Sequence, residues 1–449
     1  MNFEDCFDNG DDFNPWDQGE KKASHAFELY ERGQIQEALN EINKALEIDP
    51  SNSHWHFNKG LALDSMELFE QACESYLKAL ELNQDDIETM NCLAINYTRT
   101  GQYDLSIAMF EEIEKIDPDF EPCFCNRIIV YTEMGNYAKA EEMFYMAQQL
   151  NKDCAICFYN LGNAFFIQGI YDKAVWCWKK TAELEPEHPQ INYRIAQGFW
   201  GAGREDEASR YFIEELRKAP GDVDVIFDFG LFLLHSGQID SATEKFKRIL
   251  ETHPDFAPAI HYLGEAELDR KNFDEAEKFF IKASKMDTNL PGPRFRLAQC
   301  AIRSGRKDEA ISLLAGELRL DPQEEMILSS IGVMMLELGQ VDYAMHCFLK
   351  ISEINPANAA NYLDLGRVLA ERGEKADAEQ FLEYAIELDP KNVELAKEVS
   401  KVFSGIKDHS QAIHILNSVE RFAGNDFSVF ALKKKFQMRN AARKMFCRN

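Results

Sequence analysis

With 449 residues, 45% hydrophobic and 28% charged, the chain is long enough for two or three ordinary domains or for one long array of repeats. Its formal net charge of −28 repels nucleic acid and anionic lipid at long range, so neither is expected as a main partner. No apolar run is long enough to span a bilayer. The acidic start Met1-Asn2-Phe3-Glu4-Asp5 is the opposite of a secretory signal, so a cytoplasmic protein is expected. The eleven cysteines, odd in number and scattered along the helical pattern, fit reduced thiols acting as small hydrophobes better than a bridged framework.

Residues 1–18 mix acids with Phe3, Phe7, Phe13 and Trp16, and Asn14-Pro15 acts as a breaker. This composition predicts a disordered, solvating tail. A sharper reading makes it a short recognition segment for a partner or for the protein's own groove.

From Gly19 to Asp426 a frame of thirty-four residues runs as twelve units without insertion or deletion. Each unit reads as two amphipathic helices. A small residue marks the close approach of the first helix to the second, as at Ala26, Gly60, Ala94, Gly162, Ala196, Gly230 and Gly264, and Ile128 breaks the rule. The turn between the helices carries glycine in nine units, among them Gly169 and Gly203, where the backbone must leave the helix. Glu67, Lys271 and Lys407 replace it elsewhere and predict strained turns. Eleven units place alanine at one position of the second helix, and Ser106 is the exception. Four residues on, a large side chain such as Tyr76, Phe110, Trp178, Phe212 or Phe246 lies on the same helix face. Proline closes eight units, as at Pro186 and Pro220.

This frame resembles the tetratricopeptide repeat, whose signature runs small residue, aromatic, glycine turn, alanine, large aromatic and proline. Phe165 and Tyr97 stand at the signature's first aromatic, with Tyr103, Tyr137 and Tyr171 just after the turn. The resemblance covers residues 19–426 and implies an all-α, right-handed superhelical solenoid of about twelve tandem repeats, with the first helices lining the concave surface. Residues 427–449, with seven bases and no acid, are expected to form a capping helix. Phe427, Phe430 and Phe436 would pack it onto the twelfth unit.

Eighteen residues before the repeats and twenty-three after them leave no room for a catalytic domain. Phosphate-cradling loops, a dinucleotide fingerprint and His-Glu-x-x-His are all missing. An enzyme, a cofactor and a small-molecule substrate are therefore not expected. Two close cysteine pairs, Cys123 with Cys125 and Cys154 with Cys157, offer thiolates that suit zinc. Cysteine pairs on stacked helices seldom converge to a tetrahedron, so a structural role and no metal are expected.

In family members that bind extended peptides, an asparagine at the sixth position of a repeat grips the peptide backbone. The resemblance carries this role onto Asn58, Asn126 and Asn160, with Arg194 following. An amide can pair with both N–H and C=O. The alternative is an asparagine that only caps or solvates. One residue earlier stand Phe57, Tyr159, Tyr193, Phe227 and Phe295, read either as contact surface or as packing between first helices. Asn163, Phe166, Gln197 and Trp200 join the same wall. The family's carboxylate clamp for chaperone tails is not matched, because Cys125 and Gln190 stand where lysines belong. The expected function is a non-enzymatic scaffold that binds an extended peptide of a protein partner through Asn126, Tyr159, Asn160, Asn163, Phe166, Tyr193, Arg194, Gln197, Trp200 and Phe227. The alternative is a structural subunit that assembles a larger complex through its convex face and termini.

Overall fold

The computed structural model describes residues 15–424 and 426–446, and every regular element among them is helical. Residues 1–14 lie outside this range, and with them most of the acidic tail. Helix α1 (Pro15–Glu31) already begins ahead of Gly19. The chain divides into two compact units, Met1–Val225 and Ile226–Asn449.

The first unit holds six helix pairs. After α1 come α2 (Ile35–Ile48), α3 (Ser53–Ser65), α4 (Phe69–Leu82), α5 (Ile87–Arg99) and α6 (Tyr103–Ile116). The fourth to sixth pairs are α7 (Glu121–Glu133) with α8 (Tyr137–Leu150), α9 (Ala155–Ile167) with α10 (Tyr171–Leu184), and α11 (Ile191–Gly201) with α12 (Glu205–Lys218). Helix α13 (Val223–His235) starts just before the division and pairs with α14 (Ile239–Thr252). The second unit continues with α15 (Ala257–Asp269), α16 (Phe273–Met286), α17 (Pro293–Arg303) and α18 (Lys307–Leu318). It ends with α19 (Glu325–Glu337), α20 (Val341–Ile354), α21 (Ala359–Arg372), α22 (Lys375–Leu388), α23 (Val393–Gly405), α24 (His409–Ala423) and α25 (Phe427–Phe446). Among the described residues, twelve helix pairs thus follow the thirty-four-residue frame and one closing helix comes after it.

Each pair closes around one large side chain from its second helix. Trp178 on α10 is fully buried, and a methyl group added at Gly162 on α9 would lie 2.6 Å from its Nε1. No side chain fits at that approach, which explains the small residue in the frame. Phe246 against Gly230, Phe280 against Gly264 and Phe348 against Gly332 repeat the arrangement in the second unit. Ala174, one turn before Trp178, is also fully buried, so the second helix turns a narrow apolar stripe inward.

The turn after α9 leaves the helix at Gly169, with φ +72°, and the N–H groups of Gly169 and Ile170 bond back to Phe166 and Phe165. The same turn forms without glycine at Glu67, Lys271 and Lys407, at φ 59°, 64° and 70°. These side chains occupy the left-handed region that L residues avoid.

The closing helix α25 departs from expectation. Phe436 and Val429 are buried, but Phe427 is 84% and Phe430 63% exposed, so only one of the three named phenylalanines holds the cap down. Lys433 pairs with Glu420 at 2.9 Å and Arg439 donates to Ser404 at 3.2 Å, so two of the basic residues fasten the helix as well as wetting it.

Candidate functional site

Helices α9 and α11 present the same residues in the same register. On α9, Tyr159, Asn163 and Phe166 recur at i, i+4 and i+7, and on α11 Tyr193, Gln197 and Trp200 do the same. That spacing sets each trio along one helix face. Tyr159, Asn163, Phe166, Arg194, Gln197 and Trp200 are all half-buried, so the second helices do not close over this wall. Tyr159 lies 4.7 Å from the His188 ring, and Phe166 packs edge-on against Tyr171 at 5.5 Å and tilted against Trp178 at 5.5 Å. Arg194 stacks over Tyr193 at 5.9 Å and donates to Gln197 at 3.2 Å, while its Nε is buried without an acceptor.

Three of the expected residues sit differently. Asn160 is buried and its Nδ2 donates to the main-chain oxygen of Cys125 at 3.2 Å. Asn126 donates to the Asn91 side chain at 3.0 Å. These amides tie consecutive first helices together, so they are engaged within the protein. Tyr193 is 9% exposed and packs 6.2 Å from Phe212, which makes it chiefly a core residue. Phe227 belongs to the second compact unit, where it contacts Phe246, Phe256 and Tyr262.

Polar ties between neighbouring first helices were not expected. Asn96 on α5 donates to Asp64 on α3 at 3.1 Å. In the second unit, Arg296 on α17 forks onto both oxygens of Glu265 on α15 at 2.7 Å, and Arg367 on α21 reaches Glu398 on α23 at 2.8 Å. The signal was an amide or charge facing its complement roughly one repeat away, which a search within single helices misses. A second unexpected feature is a cavity of about 60 Å³ where the first repeat meets α3, lined by Ala23, Ala26, Phe27, Tyr30, Ile42 and Leu61. Ile42 occupies the place of Trp178 and fills less of it.

The cysteines converge more closely than expected. Sulfurs of Cys125, Cys154 and Cys157 and a carboxylate oxygen of Glu121 lie within 4.8 Å of one another. Cys123 stands apart, with its Sγ donating to the Phe110 carbonyl at 3.2 Å. Burial pushes the Cys154 thiol up to about 12 and Cys123 up to about 11, so neither is a free thiolate near neutral pH.

Comparison with known families settles the nature of the frame. Residues 20–184 match the N-terminal TPR repeats region of Psidin, residues 233–291 and 267–329 match one tetratricopeptide-repeat family, and residues 336–393 match another. The chain is a tetratricopeptide-repeat protein. It is 29% identical over 162 residues to the CTR9 homolog of Arabidopsis thaliana, covering 35% of this chain and 15% of that protein. It is 23% identical over 222 residues to human protein O-mannosyl-transferase TMTC3, covering 48% of this chain and 24% of that one. The tetratricopeptide chain thus spans at most about a quarter of these relatives. Among solved structures, yeast Tom70 is 14% identical, with 96% of this chain and 97% of that one covered at a TM-score of 0.39. Tetratricopeptide-repeat proteins generally mediate protein–protein interaction and the assembly of complexes. Among the described residues, no helix of this one is long and apolar enough to cross a membrane.

Proposed function

We propose that this tetratricopeptide-repeat protein is a non-enzymatic scaffold of the cytoplasm, whose first-helix wall in repeats five and six holds an extended segment of a partner protein. The observation that carries the reading is Arg194. Its buried Nε–H has no acceptor on a wall otherwise made of half-buried aromatic and amide groups. A buried donor left unpaired costs about 1–3 kcal/mol, which an incoming carboxylate or carbonyl would relieve. Tyr159, Phe166 and Trp200 offer apolar area beside it, and Asn163 offers a paired donor and acceptor for a peptide backbone. Asn126 and Asn160 serve as ties that hold the wall in register.

The test is affinity purification from the source cells with the wild-type chain and with Asn163→Ala/Arg194→Ala. Recovery of a partner that falls on the order of tenfold in the variant, with the helical circular dichroism unchanged, supports the wall. Equal recovery by both refutes it.

A second reading, assembly through the second helices, draws on two exposed aromatics there: Tyr145 on α8 is 62% exposed and Trp176 on α10 is 55% exposed. Loss of the partner in Tyr145→Ser/Trp176→Ser, with no loss in the first variant, would favour it.

A further inference from the structure

Repeats four and five meet at a set of donor atoms that the packing of helices does not require. Glu121 and Cys125 stand one turn apart on α7, and Cys154 and Cys157 bracket the first turn of α9. The three cysteines are buried, with Cys157 fully so, and Glu121 is half-buried. We infer that Cys125, Cys154, Cys157 and Glu121 form a binding site for a soft divalent metal ion of the zinc class, fastening repeat four to repeat five.

The donor set has the right composition. Thiolates select zinc and related soft ions over magnesium and calcium, and one carboxylate completes a fourfold shell. The spacing is close to what such a shell needs. Metal–sulfur bonds of about 2.3 Å and a metal–oxygen bond of about 2.0 Å place tetrahedral donors roughly 3.5–3.8 Å apart. The sulfurs of Cys125 and Cys154 are 3.6 Å apart, and the Glu121 oxygen is 3.3 Å from Cys125 and 3.8 Å from Cys157. The remaining sulfurs are closer: Cys154 lies 3.0 Å from Cys157, and Cys125 and Cys157 are joined in a disulfide, so the site takes a metal only in the reduced chain. Both share the Cys157 sulfur, so once an external reductant has supplied two electrons and two protons to turn the bridge into two thiols, rotation of that one side chain opens both edges together.

The surroundings hold the donors in place. The Cys157 N–H donates to the Cys154 sulfur at 3.3 Å, an orientation that favours negative charge on that sulfur. Asn160, one turn further along α9, donates to the Cys125 carbonyl, which fixes α9 against α7 at the level of the site. Cys123 shares its place in the repeat with Cys157 but is turned to the Phe110 carbonyl, so it is no ligand and provides an internal control. A metal here would order the first turn of α9, which leads directly into Tyr159 and Asn163. The site stands on its own geometry and does not depend on peptide binding.

The test uses the full chain, purified under a non-chelating reductant, exposed to Zn²⁺ alone and freed of excess. About one zinc per chain is expected in wild type and in Cys123→Ser. Loss on the order of tenfold or more is expected in Cys154→Ser, and weakening in Glu121→Gln. Because a serine variant can fail by unfolding, Co²⁺ is added to the wild-type chain in parallel, and an intense thiolate-to-cobalt charge-transfer band is expected. Wild type without zinc and without the cobalt band overturns the site, and so does zinc retained in a folded Cys154→Ser. Recovery of a Cys125–Cys157 disulfide in place of metal under these reducing conditions also overturns it.

Discussion

Asn160 donates from Nδ2 to the main-chain oxygen of Cys125 at 3.2 Å, joining the first helix of repeat five to that of repeat four. Its replacement by alanine removes a buried hydrogen bond and leaves a polar oxygen in the gap. Asn160→Ala should therefore lower unfolding stability by about 1–2 kcal/mol, read from urea denaturation. Unchanged stability would return the residue to the role of a peptide contact.

Gly162 meets the fully buried Trp178 where a methyl group has no space. Gly162→Ala should cost about 1–3 kcal/mol through overpacking. Adding Trp178→Phe should restore part of the loss, because the smaller ring vacates the place that the methyl group needs. A double-mutant cycle in thermal unfolding gives the coupling, and strict additivity would show that the two sites do not press on one another.

Lys271 holds the turn after α15 at φ 64°, where nine other repeats use glycine. Lys271→Gly should stabilise the chain by about 1 kcal/mol by removing the left-handed strain, while the reciprocal Gly169→Lys should destabilise it by a similar amount. Both are read from denaturant midpoints.

The helix pairs were legible because they rest on residues with one physical job each: Gly162 yields space, Trp178 fills it and Gly169 turns the chain. The face on which Tyr159, Asn163 and Phe166 stand was legible too, since the period of the helix fixes it. What those side chains touch was not. Asn160 and Asn163 are the same residue type one turn apart, yet the first is spent on Cys125 and the second is half-buried. That difference depends on the stacking of α9 on α7. The grouping of the cysteines was not legible for the same reason, because the register that joins Cys125 to Cys154 and Cys157 and leaves Cys123 aside belongs to helix packing. Phe427 and Phe430 were assigned inward on hydrophobicity alone, whereas the face of α25 that carries Val429 and Phe436 does the packing.

His261 on α15 is buried 3.7 Å from Glu265, its Nδ1 has no partner, and burial followed by the nearby Arg296 charge lowers its pKa from the ordinary 6.5 to about 4. The unfolded chain binds this proton first. Stability from the neutral ring is therefore complete above pH 6.5 and is lost as pH falls toward 4, by on the order of 3 kcal/mol. Glu265, whose carboxyl burial pushes upward, opposes this at the acid end. His261→Phe should flatten the stability profile between pH 6.5 and 4 in urea titrations, and an unaltered slope would show that other groups carry it.

The direct measurement of the proposed working surface is site-specific photo-cross-linking in the source cells, with a photoreactive side chain at Asn163 on the first-helix wall or at Tyr145 on a second helix. Adducts formed from position 163, and not from 145, that map to one continuous stretch of one partner are the expected result. Adducts from position 145 alone would contradict the peptide-binding wall and place the interaction on the second helices.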